Sequence, residues 1–340
     1  MKGILLGYSC PSSASITSFD LPYYDSNTGN YGRGWKDIYF ITATTILLTT
    51  MWSVSVKYVF EPIGRRMGLG KHKAKRFGEQ TWLGMYCLSM WTLGMYIWTQ
   101  SEHWMDGWAF FATFMSKQLD GKLKFYILTS LAFWLSQIIV VNVEKKRSDY
   151  ALYMAHHVLT VVLFWINYVY GMHDAILVVS NLMEAADVFL CSTKILQYLN
   201  WKTSGNVSFA TFVVVWIVSR HVIFVRFCWI FIRGIPAEMP YGCYSGVIRQ
   251  LNETGNDCHS WGRLAGPFWD AQAPVCMTPV FKSIIVVFLL LLELMCVAWS
   301  VEIVQVTMRA VRKGYSEDVR SDTEEDAYRE AEKKAKVNQQ

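Results

Sequence analysis

Seven apolar stretches dominate this chain, each near the ~20 residues that a helix needs to cross a bilayer. They run at about 38–60, 81–100, 123–143, 150–170, 173–199, 207–234 and 280–307. A backbone surrounded by lipid must satisfy its own N–H and C=O groups, so such stretches predict α-helices. The expected fold class is all-α, a polytopic membrane helical bundle of about seven transmembrane helices. A further apolar stretch at 104–115 is too short to span and is expected at the interface. There is no internal repeat, so an inverted-repeat transporter has no support.

Composition agrees. Hydrophobic residues make up 53% of the 340 positions and charged residues only 17%, against ~25% in an ordinary soluble domain. Fifteen tryptophans suit a protein whose belt lies at headgroup depth. The net charge of +5 is dispersed in short clusters beside the apolar runs. No basic stripe of the kind nucleic acid requires is present, so no nucleic-acid partner is expected.

Those basic clusters orient the bundle. Arg65, Arg66, Lys71, Lys73, Lys75 and Arg76 follow the first span, Lys145, Lys146 and Arg147 the third, Lys202 the fifth, and Arg309, Arg312 and Lys313 the seventh. All four fall on one side, which the positive-inside rule makes cytoplasmic. The N-terminus is then lumenal and the C-terminus cytoplasmic. Three regions follow: a flexible lumenal leader at 1–36, the membrane bundle at 37–310, and an acidic cytoplasmic tail at 311–340. After Lys2 only Ile4, Leu5 and Leu6 precede polar residues, too short an apolar core for a signal peptide, so the first span is expected to be an uncleaved anchor.

The segment 235–279 becomes lumenal in this topology. It carries Asn252-Glu253-Thr254, a glycosylation acceptor at Asn252, although a lone sequon also arises by chance. It also holds Cys243, Cys258 and Cys276, for which an oxidising compartment permits a disulfide whose pairing the sequence leaves open. No C-x-x-C occurs among the eight cysteines. In the tail, Ser321 and Thr323 each have an acid three residues on, the pattern of an acidophilic kinase site. The plainer alternative there is a solvated helix end.

Ionisable residues inside a span are costly and mark function by default. The fourth span holds Tyr153, His156, His157 and Thr160 on one side, with the histidines ~10 Å from its cytoplasmic end. The fifth holds Asn181, Glu184, Asp187, Cys191 and Lys194 in one stripe. A short connection at Gly171 makes these two spans antiparallel neighbours. Arg220 and His221 lie near the middle of the sixth, and Glu293 interrupts a leucine run in the seventh. An imidazole beside carboxylates at lipid depth suits acyl transfer between lipid-soluble substrates. The competing reading is polar glue between helices. Seven scattered histidines form no box of the di-iron type, so no metal is expected.

The residues Lys145-Lys146-Arg147-Ser148-Asp149-Tyr150, the pair His156-His157, and Leu182 to Leu190 followed by Lys194 resemble the signature of ceramide synthases. These belong to the family shared by translocating-chain-associated, longevity-assurance and CLN-type proteins, whose catalytic (TLC-type) domain would cover about 77–310. The stretches Phe77 to Trp82 and Ala132 to Val140 look most like fungal members.

The resemblance implies an endoplasmic-reticulum membrane enzyme that joins an acyl group from acyl-CoA to the amine of a sphingoid base. Acyl-CoA is the co-substrate and no cofactor is tightly bound. His156, His157 and Asp187 take the catalytic roles, with Glu184 keeping a carboxylate where the family often has His-Asp in place of Met183-Glu184. Arg220, Lys194, Tyr153, Asn181 and the basic loop residues Lys145, Lys146 and Arg147 are expected to bind substrate. Partners are acyl-CoA, the sphingoid base, membrane lipids and a small single-span accessory subunit; a homo- or hetero-dimer stays open, as do acyl-chain length and base. Two other classes remain: a non-enzymatic lipid-sensing or translocon-associated relative, and a small transporter using Arg220, Asp187 and Glu293.

Overall fold

The structure, a computed structural model, describes residues 21–143, 150–245, 250–253 and 260–313. The basic residues Lys145 to Arg147, Cys258, Thr254 of the sequon, and Ser321 and Thr323 of the tail lie outside them.

The long apolar runs are helices. In chain order they are α1 (Asp37–Arg66), α2 (Lys71–Thr99), α3 (Gly121–Val143), α4 (Tyr150–Val169), α5 (His173–Tyr198) and α6 (Lys202–Ala237). A strand pair, β1 (Gly242–Ser245) and β2 (Gln250–Glu253), comes next. It is followed by a short helix α7 (Trp261–Trp269), strand β3 (Val275–Met277) and the last helix, α8 (Pro279–Lys313). Six helices are long and apolar enough to cross a membrane. The expected span at 81–100 falls in α2, which is long enough at 29 residues. Its Trp, Tyr, Gly and Thr residues dilute its hydropathy and leave it outside those six, so the expected seven is six by that standard.

Lengthwise packing sets the neighbours. α1 lies along α3 in the same direction, with Thr45 against Ala132 and Thr49 against Ser136, whereas α2 along α5 and α5 against α6 are antiparallel. The α2–α5 approach is close because Gly94 presents no side chain: a Cβ there would sit 2.2 Å from Asn181 Nδ2. Gly171, between α4 and α5, has φ +69°, and a Cβ on it would meet Ser116 O at 2.3 Å. Only glycine gives both the left-handed turn and the clearance.

One end of the bundle carries the sheet, of order β2-β1-β3. Cys243 faces Cys276 across the β1–β3 pair, and the two form a disulfide. The bridge joins the exit of α6 to the entry of α8. It answers the pairing left open by the sequence for these two cysteines. Asn252 sits in β2.

At the same end a buried ion pair closes the bundle. Lys124 Nζ lies 2.7 Å from Asp37 Oδ1, and Asp37 Oδ2 accepts from Tyr168 at 2.8 Å. Lys124 also donates to the carbonyls of Pro22 at 2.8 Å and Gly32 at 2.7 Å, which ties the chain before α1 to α3. Within the stretch 104–115, Phe110, Phe111 and Phe114 are buried against Phe227 and Phe231 of α6, whereas Trp104, Met105 and Trp108 are exposed. The opposite end carries Arg65, Arg66 and the basic start of α2.

Candidate active site

The helical spacings of α4 and α5 bring their polar residues to one cavity. It measures about 750 Å³, counted to its open mouth, and its polar lining includes His156, Thr160, Asn167, Glu184, Asp187 and Arg220. Leu163, Phe164, Phe227, Phe231, Leu289 and Leu292 make the rest largely apolar. Four helices thus contribute, with Trp134 of α3 at the edge. Volume and lining suit a small-molecule site with a long apolar portion.

The two imidazoles stand differently toward this cavity. His156 is on its wall. Its ring packs edge to face against Trp134 at 5.6 Å and Trp299 at 5.1 Å, and its buried Nδ1 has no hydrogen-bond partner among the described residues. His157 is buried behind, with its ring 5.6 Å from that of His156 and 5.3 Å from Trp134. His157 Nδ1 lies 2.8 Å from the carbonyl oxygen of Tyr153. A carbonyl only accepts, so Nδ1 carries the proton and the neutral ring keeps its lone pair on Nε2. Among the described residues that Nε2 has no hydrogen-bond partner.

The carboxylates sit across the cavity. Glu184 Oε2 accepts from Tyr126 at 3.3 Å. Asp187 Oδ1 is 3.5 Å from Arg220 Nη2, which also donates to the Met183 carbonyl at 2.7 Å. Arg220 Nη1 touches the Met183 sulfur, and the guanidinium lies over the Trp216 ring at 4.8 Å. Arg220 is only 3% exposed, so its charge is committed inside the bundle and not at a basic loop. Among the described residues no hydrogen bond links either imidazole to Asp187 or Glu184. Neither do three His, Cys, Asp or Glu side chains converge as metal ligands there.

The remaining expected site residues disperse. Asn181 is buried one turn before Glu184, donating to Leu177 O at 3.0 Å. Tyr153 lays its ring 4.3 Å from that of His157. It also borders a second cavity of about 630 Å³ at the basic end, together with Trp52, Arg76, Glu79, Gln80 and Gln137. Lys194, two turns beyond Asp187, borders neither cavity.

Sequence reasoning passed over Trp134, Trp299, Tyr126 and the backbone of Met183. Tyr126, Ser130 and Gln137 of α3 lie at spacings of four and seven, the same helical signal that exposed the α5 stripe. Trp134 carries no such signal, since tryptophan is everywhere in this chain.

Residues 76–305 match the TLC domain family. The chain belongs to that family. The matched region takes in α2 through most of α8, hence the whole cavity and both imidazoles. The chain is 35% identical to a sphingosine N-acyltransferase-like protein of Alternaria alternata, over 91% of this chain and 72% of the relative. It is 33% identical to a ceramide synthase of Gibberella moniliformis, over 95% of this chain and 76% of the relative. A ceramide synthase of Saccharomyces cerevisiae is 26% identical over 90% and 69%. TLC domain membership and the polar cavity thus fall on the same residues.

Proposed function

We propose that this protein is a ceramide synthase: it transfers a fatty acyl group from acyl-CoA to the amine of a sphingoid base. The observation that carries the reading is the convergence of His156, Glu184, Asp187 and Arg220 on one largely apolar cavity. An acyl chain matches the apolar walls, and the polar cluster matches a reacting carbonyl. The names of the relatives support the same activity.

In the proposed mechanism the acyl chain lies along the cavity with its thioester beside His156. A ring nitrogen of His156 attacks the carbonyl, the C–S bond breaks, and coenzyme A leaves as a thiol with the proton released by the ring. The amine then attacks the acyl carbon, the C–N bond to His156 breaks, and the amide forms. The Nε2 lone pair of His157 takes the amine proton and passes it to the departing ring nitrogen of His156, so that both imidazoles end neutral. Asp187 and Glu184 orient and polarise, and Arg220 holds Asp187 toward the cavity. The second cavity, with Tyr153, Arg76, Glu79, Gln80 and Gln137 on its wall, suits the more polar parts of the substrates, and substrate binding by Lys145, Lys146, Arg147 and Lys194 belongs to the same reading. Asn181 shapes the α5 face through Tyr126 and Gly94. Acyl-CoA is a co-substrate, and no step calls for a tightly bound cofactor.

The reading includes an endoplasmic-reticulum location with the sheet end lumenal. A disulfide suits an oxidising lumen, and the basic residues gather at the other end. Glycosylation at Asn252, phosphorylation at Ser321 and Thr323, a single-span accessory subunit and a dimer belong to the same reading.

The test is N-acyltransferase activity of the purified chain with a panel of acyl-CoAs, against His156→Ala at equal expression. Loss of amide formation in the variant is the expected result. An unchanged rate removes the reading, and substrate flux that survives the substitution favours a transporter. A stalled reaction without amine should leave an acyl adduct on a histidine peptide. Its absence removes the covalent step and leaves His156 as a general base.

A further inference from the structure

The site described above uses Arg220 but not its neighbour His221, and no step involves Glu293. Yet Glu293 is an acid inside a run of leucines, a costly placement that calls for a reason. Its Oε1 lies 2.7 Å from His221 Nδ1. His221 Nε2 lies 2.7 Å from Ser300 Oγ. One imidazole thus bridges two residues of α8 that are two turns apart. Ser300 Oγ also accepts from Trp216 Nε1 at 2.9 Å, and the Trp216 ring is the face on which the Arg220 guanidinium rests.

The backbone gives this network its purpose. Ile217–Ile223 of α6 is a π-helical turn between two α-helical stretches. A π turn inserts a residue and shifts the register of everything after it, and such turns are rare without a specific cause. Here Arg220 and His221, adjacent in sequence, reach different helices: Arg220 meets Met183 and Asp187 of α5, and His221 meets Glu293 and Ser300 of α8.

We infer that His221, Glu293 and Ser300 form a clasp that fixes the π turn of α6 and so aims Arg220 at Asp187. They are positioning residues for the proposed acyl transfer, and the inference rests on that reading. The order Ser–His–Glu also resembles a nucleophile with its base, but Ser300 Oγ is occupied. It donates to Cys296 O at 2.8 Å while accepting from Trp216. A hydroxyl so engaged on a packed helix face is a tether.

The experiment measures kcat and KM for acyl-CoA in the purified full-length protein. The variants are His221→Ala, Ser300→Ala, Ser300→Thr and Arg220→Ala, and the double variant His221→Ala/Arg220→Ala. A misplaced Arg220 should lower kcat about tenfold to a hundredfold in His221→Ala and in Ser300→Ala, with KM little changed. Ser300→Thr keeps the hydroxyl and should restore most of the rate. In the Arg220→Ala background, adding His221→Ala should change kcat by less than about twofold, because the clasp acts through Arg220. Arg220→Lys replaces Arg220→Ala should the latter not fold, and Ser300→Ala stands in for His221→Ala in the same way.

Loss of activity in Arg220→Ala with full kcat in His221→Ala and Ser300→Ala overturns the clasp and leaves the acyltransferase reading standing. A full additive loss in the double variant also overturns it. Full activity in Arg220→Ala removes Arg220 from the mechanism and the clasp with it. Failure of the wild-type protein to form any amide marks the acyltransferase reading itself as the one that fails.

Discussion

Nδ1 of His157 lies 2.8 Å from the carbonyl oxygen of Tyr153, one turn earlier in the same helix. The contact fixes which nitrogen is protonated, and Nε2 has no partner among the described residues. His157→Ala should therefore lower amide formation by about 10²–10⁴-fold, the usual contribution of a positioned base. His157→Asn keeps a donor for the Tyr153 carbonyl but supplies no base, and should fall as far. Initial rates at saturating acyl-CoA make the comparison. An asparagine variant with most of the wild-type rate would show that the ring serves packing alone.

Gly94 and Asn181 test the α2–α5 approach. Gly94→Ala places a methyl group 2.2 Å from Asn181 Nδ2, and should destabilise the protein by about 1–3 kcal/mol through overpacking. Adding Asn181→Ala opens the space and should recover most of that loss. Thermal unfolding in detergent measures both. A double variant no more stable than Gly94→Ala would place the strain elsewhere.

The ion pair of Lys124 and Asp37 is buried on both sides. Asp37→Ala leaves a buried ammonium with the Pro22 and Gly32 carbonyls and the rings of Tyr23 and Tyr31 but no counter-charge. Breaking such a pair from one side costs about 3–5 kcal/mol. The paired change Asp37→Leu with Lys124→Met should cost clearly less, since no buried charge remains. The two thermal midpoints decide it, and equal losses would argue against a charge effect.

The Cys243–Cys276 bridge closes a loop with a sequence separation of 33 residues. Cys243→Ser should lower stability by about 2–4 kcal/mol, and Cys276→Ser by a similar amount. Mass spectrometry after alkylation without reductant should find both thiols blocked in the wild-type protein. Labelling of either cysteine there would overturn the pairing.

Much of this molecule was legible because lipid imposes two strict rules. Apolar length predicted seven spans, of which six are helices long and apolar enough to cross a membrane, and polar residues at helical spacing gave the α4 and α5 faces that meet at the cavity. The limits came from what periodicity does not encode. Registry between α4 and α5 depends on the turn at Gly171, so the contacts of His156 were open until that turn was seen. Arg220 was expected to bind substrate, and its contacts with Asp187 and Met183 within the bundle were not legible from spacing. The π turn that aims it leaves no mark in the apolar pattern. The burial of Phe110, Phe111 and Phe114 beneath exposed Trp104, Met105 and Trp108 was not legible either, because a short apolar run does not encode which of its residues turn inward.

The apolar walls beside His156 bear on a competition that the mechanism leaves implicit. An acyl group held there has two available acceptors, the scarce amine and the far more abundant water. Leu163, Phe164, Phe231 and Leu289 offer water almost nothing to bind. The ratio of amide to free fatty acid among the products would then be set by these leucines and phenylalanines, which touch neither leaving group nor nucleophile. Fidelity in such a site is a property of its greasiest residues.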